Sequence, residues 1–357
     1  MLFRSKSLET YPQAVEAHRR LLQLDPFRIA SYHEMFRLFL ERREHDKAFV
    51  VAQLLVYLQA ADQEQRLYWN EHKAKVPLRA EGRLSPEEHA QIVVHPNERG
   101  PLRELFEILA YEFGKAFPGD LAAHGLSART DKHGPRSDNS VRKLADELAG
   151  VLSTPAFDLW ISGQMSLEAF LENASPPALV VGAKFGTRLQ DADQRFLLGR
   201  QLERVKGGHR LVEAMGVEQV EVLLWAVVAA ANPTVRPSVD PAQLEGMQRR
   251  LRGLSSKYRR QLEEMAPRLI GAPLDPRAHL EASRHTANRA AMVLTNDIEA
   301  AVRNLAKDHP DVRPVFQDAD RAAETIGRIP EVRELLNFAV SDAYFVARAR
   351  LGFSIES

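Results

Sequence analysis

Cysteine does not occur anywhere in the 357 residues. Its absence removes disulfides, thiolate nucleophiles and Cys-based zinc sites together, while leaving the redox compartment open. Net charge is missing too. Forty-eight Lys and Arg stand against 48 Asp and Glu, so no global field steers nucleic acid or an anionic membrane toward the chain. Long hydrophobic runs are scarce. The most apolar window, residues 217–231, carries Glu218 and Glu221 and is too short to span a bilayer. It reads as a buried helix ended by Asn232-Pro233. The opening residues Met1-Leu-Phe-Arg-Ser-Lys-Ser lack the apolar core of a secretory signal. The sequence also lacks G-x-x-x-x-G-K-[ST], G-x-G-x-x-G, G-x-S-x-G and any metal-spaced Asp cluster. The expectation is a cytoplasmic chain with no cofactor, no metal, no nucleic-acid partner and no integral membrane segment.

What is present suits a folded chain of two or three domains: 45% hydrophobic and 27% charged residues. Residues 8–70 carry a periodic pattern, with Ala14 recurring as Ala48 and Leu21 as Leu55. Asp25-Pro26 closes the first unit. Tyr32, Met35 and Phe39 fall on the large-residue positions of the next helix, and Phe36 stands where a small residue is usual. The 34-residue period resembles tetratricopeptide (TPR) repeats. The resemblance implies helical hairpins of one complete repeat and part of another. Because about three such units are needed for independent stability, either further repeats precede this segment or it docks on the next domain. Tyr32, Phe36, Phe39, Tyr57 and Leu58 exceed what two helices can hide. They are therefore the expected surface for a helix or peptide partner, the alternative being a hairpin that merely caps the next domain.

The segment Phe196-Leu-Leu-Gly-Arg200-Gln201-Leu-Glu-Arg204-Val-Lys-Gly-Gly-His209 has the rhythm of H-E-x-x-H on a helix. There, two His at i and i+4 hold zinc and the Glu between them is the general base. Here the three positions read Arg200, Gln201 and Arg204. Arg cannot deprotonate to become a ligand, and Gln lacks the basicity of Glu. Upstream, residues 141–150 read as a helix, and 157–161 and 178–182 as two strands. Helix, strand, strand, active-site helix resembles gluzincin metalloproteases, and the spacing is similar to the CAAX prenyl protease family. In that family a second helix supplies a Glu ligand three residues before an Ala-Asp pair. The matching stretch, Arg284-His285-Thr286-Ala287-Asn288, puts Arg284 at the ligand position. The resemblance therefore implies a degenerate protease fold over residues 140–300. It places Arg200 and Arg204 on one helix face near Arg284, with Glu203 or Glu281 as compensating acids. The rival reading of the same letters is an ordinary amphipathic helix. His209 and His285, two lone His without a carboxylate partner, read as packed or surface residues.

Elsewhere, Ser85-Pro86-Glu87-Glu88 reads as a helix start, residues 96–101 as a turn and 102–113 as a helix with Leu102, Leu105, Phe106 and Leu109 on one stripe. Residues 127–139 read as a mobile loop, and the basic stretch 248–260 as a solvated helix face. The resulting expectation is a mainly α protein: TPR-like hairpins over 1–70, a helical connector over 71–136, a degenerate α+β zincin-like domain with a small sheet over 137–310, and C-terminal helices over 311–357. This arrangement is similar to C-terminal portions of very large bacterial TPR proteins and implies a non-catalytic scaffold for a protein or peptide. The alternatives are a hydrolase with another active site and an adaptor that takes anionic ligands in an Arg-lined cleft or along 248–260.

Overall fold

The computed structural model describes residues 10–110, 117, 119–232, 234–270, 275–307 and 329–355. Sixteen α-helices and four short strands occur among them, so the chain is mainly helical with a small mixed sheet. It forms two compact units, one made of 1–93 with 288–357 and the other of 94–287. Neither boundary falls at residue 70, 136 or 310.

In the first unit, α1 (Tyr11–Leu24), α2 (Ile29–Glu41), α3 (His45–Tyr57) and α4 (Gln63–Lys73) pack consecutively, each on the next. The loops are short because the turns are strongly signalled. Asp25-Pro26 ends α1, and Asp62 caps α4 in a reciprocal capping box with Gln65. Tyr32, Phe36 and Phe39 all lie in the core. Tyr32 donates its hydroxyl to the Pro26 carbonyl. Phe36 meets Tyr68 edge-on, and Phe39 meets Phe345. Tyr57 is half-buried. Of the aromatic array expected to face a partner, Tyr32, Phe36 and Phe39 are thus covered within the same unit, Phe36 by α4 and Phe39 by a C-terminal helix.

The remainder of this unit is α5 (Pro86–Ile92), the last turns of α13 (Pro276–Thr295), α14 (Ile298–Lys307), α15 (Pro330–Ala339) and α16 (Asp342–Arg350). Ser85 caps α5 with Glu88 in the capping box that the sequence announces. The two chain ends are joined by Arg348 on α16, only 1% exposed, which makes a bidentate pair with Asp46 of α3 at 2.9 and 2.6 Å. The same guanidinium reaches the Phe353 carbonyl at 2.9 Å and the Asn296 side chain, and Asp46 also accepts from the Ile355 amide.

The second unit holds α6 (Pro101–Leu109), α7 (Ser140–Leu152), the sheet, α8 (Phe185–Arg188), α9 (Asp191–Lys206), α10 (His209–Ala231), α11 (Pro241–Arg252), α12 (Ser256–Ile270) and the first turns of α13. The sheet order is β1 (Lys132–His133), β2 (Asp158–Ser162), β4 (Ala178–Gly182), β3 (Ala169–Glu172). β2 and β4 are parallel with Trp160 opposite Val180, and the outer pairs are antiparallel. β4 is buried along its whole length, which explains its unbroken Ala-Leu-Val-Val run. Strands β2 and β4 fall within a residue of the expected positions. β1 lies inside the segment expected to be a mobile loop, and β3 is additional, so the order is helix, three strands, short helix, helix. The end of the helix expected over 102–113 lies outside the described residues.

α10 is the one described helix long and apolar enough to cross a membrane by length and composition, with a mean hydropathy of 1.5 over its most apolar 18 residues. Gly216, at φ 71° and ψ 166°, breaks it. The straight part after the break spans about 22 Å at 1.5 Å per residue, against about 30 Å of hydrocarbon. Val220, Leu223, Ala226 and Val227 on that part join the core formed with α6, α11 and α12. α10 is therefore no clear integral membrane segment.

Breaking a buried, hydrogen-bonded ion pair from one side leaves an uncompensated charge and costs about 3–5 kcal/mol. Asp46→Ala should lower the stability read by urea unfolding by that amount. Arg20→Ala, which removes an exposed i,i+4 partner of Glu16, should change it by less than about 0.5 kcal/mol. Equal, small effects would contradict the role given to Arg348.

Candidate functional site

α9 carries the letters that resemble a zinc-protease helix, and its local architecture follows from both ends. Asp191 and Asp193 occupy the first turn, where the helix dipole favours acids. Gly207 and Gly208 end it, and Gly208 takes a left-handed φ of 65°. A side chain on Gly208 would meet the Phe106 carbonyl at 2.5 Å, and one on Gly207 would meet the His209 ring at 2.2 Å. Two glycines are thus required for α10 to turn back with His209 pointing inward.

The polar side chains of α9 are taken up by structural bonds. Arg195 bonds Asp191 at 2.6 Å and Glu147 of α7 at 3.1 Å. Gln201, which the resemblance equates with the general base, donates to the Ala169 carbonyl of β3 at 3.2 Å and accepts from Arg204 at 2.7 Å. Arg204, which the resemblance equates with the second ligand, pairs with Glu213 of α10. Burial pulls its pKa below the usual Arg range, Glu213 opposes that, and Arg200 and Arg210 reinforce it. Arg200 lies with its guanidinium 5.9 Å from the Phe196 ring. Arg284 is exposed on α13, as is Glu281. Arg200 and Arg204 therefore share α9, the arrangement expected from their i,i+4 spacing. Glu203, expected as a compensating acid for them, is engaged by Arg103 of α6.

Glu203 belongs to a buried cluster assembled from segments distant in sequence. Glu203 is fully buried and accepts from Arg103 of α6 at 2.9 Å. Arg103 also bonds Glu98 at 2.6 Å and Glu107 at 2.8 Å. Glu98, in a 3-10 turn at Pro96–Glu98, shares the same oxygen with His209 Nε2 at 2.7 Å. His209 thus has a carboxylate partner, 111 residues away in sequence. His279 of α13 stacks on Phe106, with centroids 5.7 Å apart, and is a charge neighbour of Glu98, His209 and Arg103. Nearby, Thr286 accepts from the His95 amide at 2.9 Å. The one local signal is Gly-Gly-His after α9; partners drawn from four other segments leave no short motif.

Electrostatics fit a sealed cluster. Burial works against the Glu98 carboxylate, but His209, Arg103 and Thr286 outweigh it and hold the carboxyl well below the usual range. Burial also opposes the charge on Arg103, and Glu203, Glu98 and Glu107 reverse that and push its pKa up. Burial alone dominates at Lys206, whose pKa is lowered, and its ammonium donates to the Leu152 carbonyl at 2.5 Å. Glu98, Glu203, His209 and His279 are each 3% exposed or less, so the cluster offers proton-transfer groups without an approach for substrate. Among the described residues no group of three or more His, Asp or Glu is disposed to hold a metal ion. Arg103 places a guanidinium between the two buried carboxylates, where a cation would otherwise sit.

Burial pushes the pKa of His279 down to about 4 from 6.5, Glu98 opposing and His209 and Arg103 reinforcing. The unfolded chain takes up this proton near pH 6.5 and the folded chain near pH 4. Stability should therefore fall across that window by about 3 kcal/mol for this group. Glu98, with its depressed folded pKa, adds its own loss only below about pH 4.3, its unfolded value. Urea titrations at pH 7, 5.5 and 4.5 should show His279→Gln losing less stability with acid than the parent. Parallel pH dependence would contradict the buried neutral ring.

No protein-family model, no curated protein and no solved structure matches this chain.

Proposed function

We propose that this chain is a non-catalytic cytoplasmic scaffold for a protein or peptide partner, in which TPR-like hairpins accompany a zincin-like domain that has lost its chemistry. The observation that carries the reading is the set of bonds on α9. Gln201 and Arg204, at positions that would supply base and ligand, are tied to each other, to β3 and to α10. Glu203, the remaining carboxylate on that stretch, is held by Arg103. A general base must reach its substrate proton within hydrogen-bond distance, and these groups face protein on every side that bonds them. The consecutive packing of α1 to α4 supports the hairpin part of the reading.

With Tyr32, Phe36 and Phe39 turned inward, a partner would be met by other parts of the hairpin surface. Leu24 at 78% and Leu67 at 54% exposure are its outward apolar side chains.

Protein purified without chelator should carry well under one zinc per chain and leave casein and simple ester substrates at background turnover, with or without added zinc. Chelator-sensitive hydrolysis with near-stoichiometric zinc would refute the proposal. On the binding side, Leu67→Asp should leave the unfolding transition in place and weaken capture of the partner at least tenfold, because burying one leucine is worth about 1.5–3 kcal/mol.

A further inference from the structure

Away from α9, the second unit has a cavity between α10, α11 and α12 of about 320 Å³, inside the size range of small-molecule sites. Its floor is apolar, made by Val227 from α10, Leu251 from α11 and Leu262 from α12, with the exposed Ala230 of α10 at its mouth. Val227, Leu251 and Leu262 are buried members of the local core. Its rim is polar and carries Arg252 and Arg259. Both arginines are exposed and neither makes an ion pair among the described residues. Their neighbours do: Arg249 pairs with Glu245 and Arg260 with Glu264. Glu263, one turn after Arg259 on the same rim, makes no pair with it.

We propose that this cavity binds a small amphiphilic carboxylate: an unbranched apolar chain lying on Val227, Leu251 and Leu262, with its carboxylate between Arg252 and Arg259. Arg suits this task because its planar fork donates to both oxygens of a carboxylate. An apolar floor without a charged rim would take any hydrocarbon, and a charged rim alone would take any anion. The combination selects ligands having both parts. The site stands apart from the bonds on α9 and does not depend on how the chain's function is read.

Calorimetric titration of the full chain with hexanoate, octanoate and decanoate, below their micellar concentrations, tests this directly. Each added methylene should tighten binding by about fourfold, the equivalent of ~0.8 kcal/mol per buried CH₂. Decanol and decyltrimethylammonium should bind at least tenfold more weakly than decanoate. Arg252→Gln and Arg259→Gln, both at exposed positions, should each weaken decanoate about tenfold and leave decanol unchanged, while Ala230→Phe, which fills the cavity, should abolish both. Three outcomes would overturn the proposal: affinity independent of chain length, equal binding of the cationic and anionic amphiphiles, or binding to phosphatidylglycerol vesicles without binding to free decanoate.

Discussion

Arg103 is the constraint on which the second unit turns. One guanidinium joins Glu98 in the 3-10 turn, Glu107 on its own helix and Glu203 on α9, and Glu98 passes the connection to His209 at the start of α10. Three carboxylates and one imidazole converge on a largely buried centre, so the cluster is stable only as a complete set. Removing Arg103 leaves the buried Glu98 and Glu203 carboxylates without their shared cation. Such a network does not make a fold strong by itself, since an apolar replacement of the whole set can be as stable. Its effect is to specify which segments meet: a shifted α9 would strand Glu203, and a different turn at Gly207-Gly208 would withdraw His209.

The first unit uses the same device at its chain ends. Arg348 and Asp46 are separated by 302 residues, and the guanidinium closes α16 onto α3 while also collecting the Phe353 carbonyl. In both units a buried arginine with several acceptors does what a disulfide cannot do in a chain without cysteine: it fixes a long-range contact. The hydrophobic cores around these pairs supply most of the stability, and the ion networks supply the register.

Elements with strong local signals are legible in the sequence. Ser85 with Glu88, the Leu102, Leu105, Phe106 and Leu109 stripe, and the all-apolar β4 each rest on chemistry within a few residues. β1 and β3 are not legible, because strands of two and four residues at sheet edges are fixed by their neighbours rather than by a pattern of their own. The aromatic residues of α2 suggest a partner surface because part of their cover, Phe345 on Phe39, comes from far along the chain, and α4, which brings Tyr68 onto Phe36, carries no local sign of that contact. Arg200 and Arg204 are legible as neighbours on one helix, since i,i+4 spacing alone sets that. Glu203, which its sequence position offers as their neutralising partner, points instead to Arg103. The buried cluster of Glu98, Arg103, His209 and His279 leaves only Gly207-Gly208-His209 as a local mark in the sequence, since its members come from separate segments.

The most direct test is a double-mutant cycle between Arg103 and Glu203, with Arg103→Met and Glu203→Gln measured singly and together by urea unfolding. If α9 is held by the buried network, the two changes should be strongly coupled, with an interaction energy of about 2 kcal/mol or more and a double variant less damaged than the sum of the singles. Additive effects, with coupling below about 0.5 kcal/mol, would show that α9 is held by apolar packing alone and would contradict the structural role assigned to its charged residues.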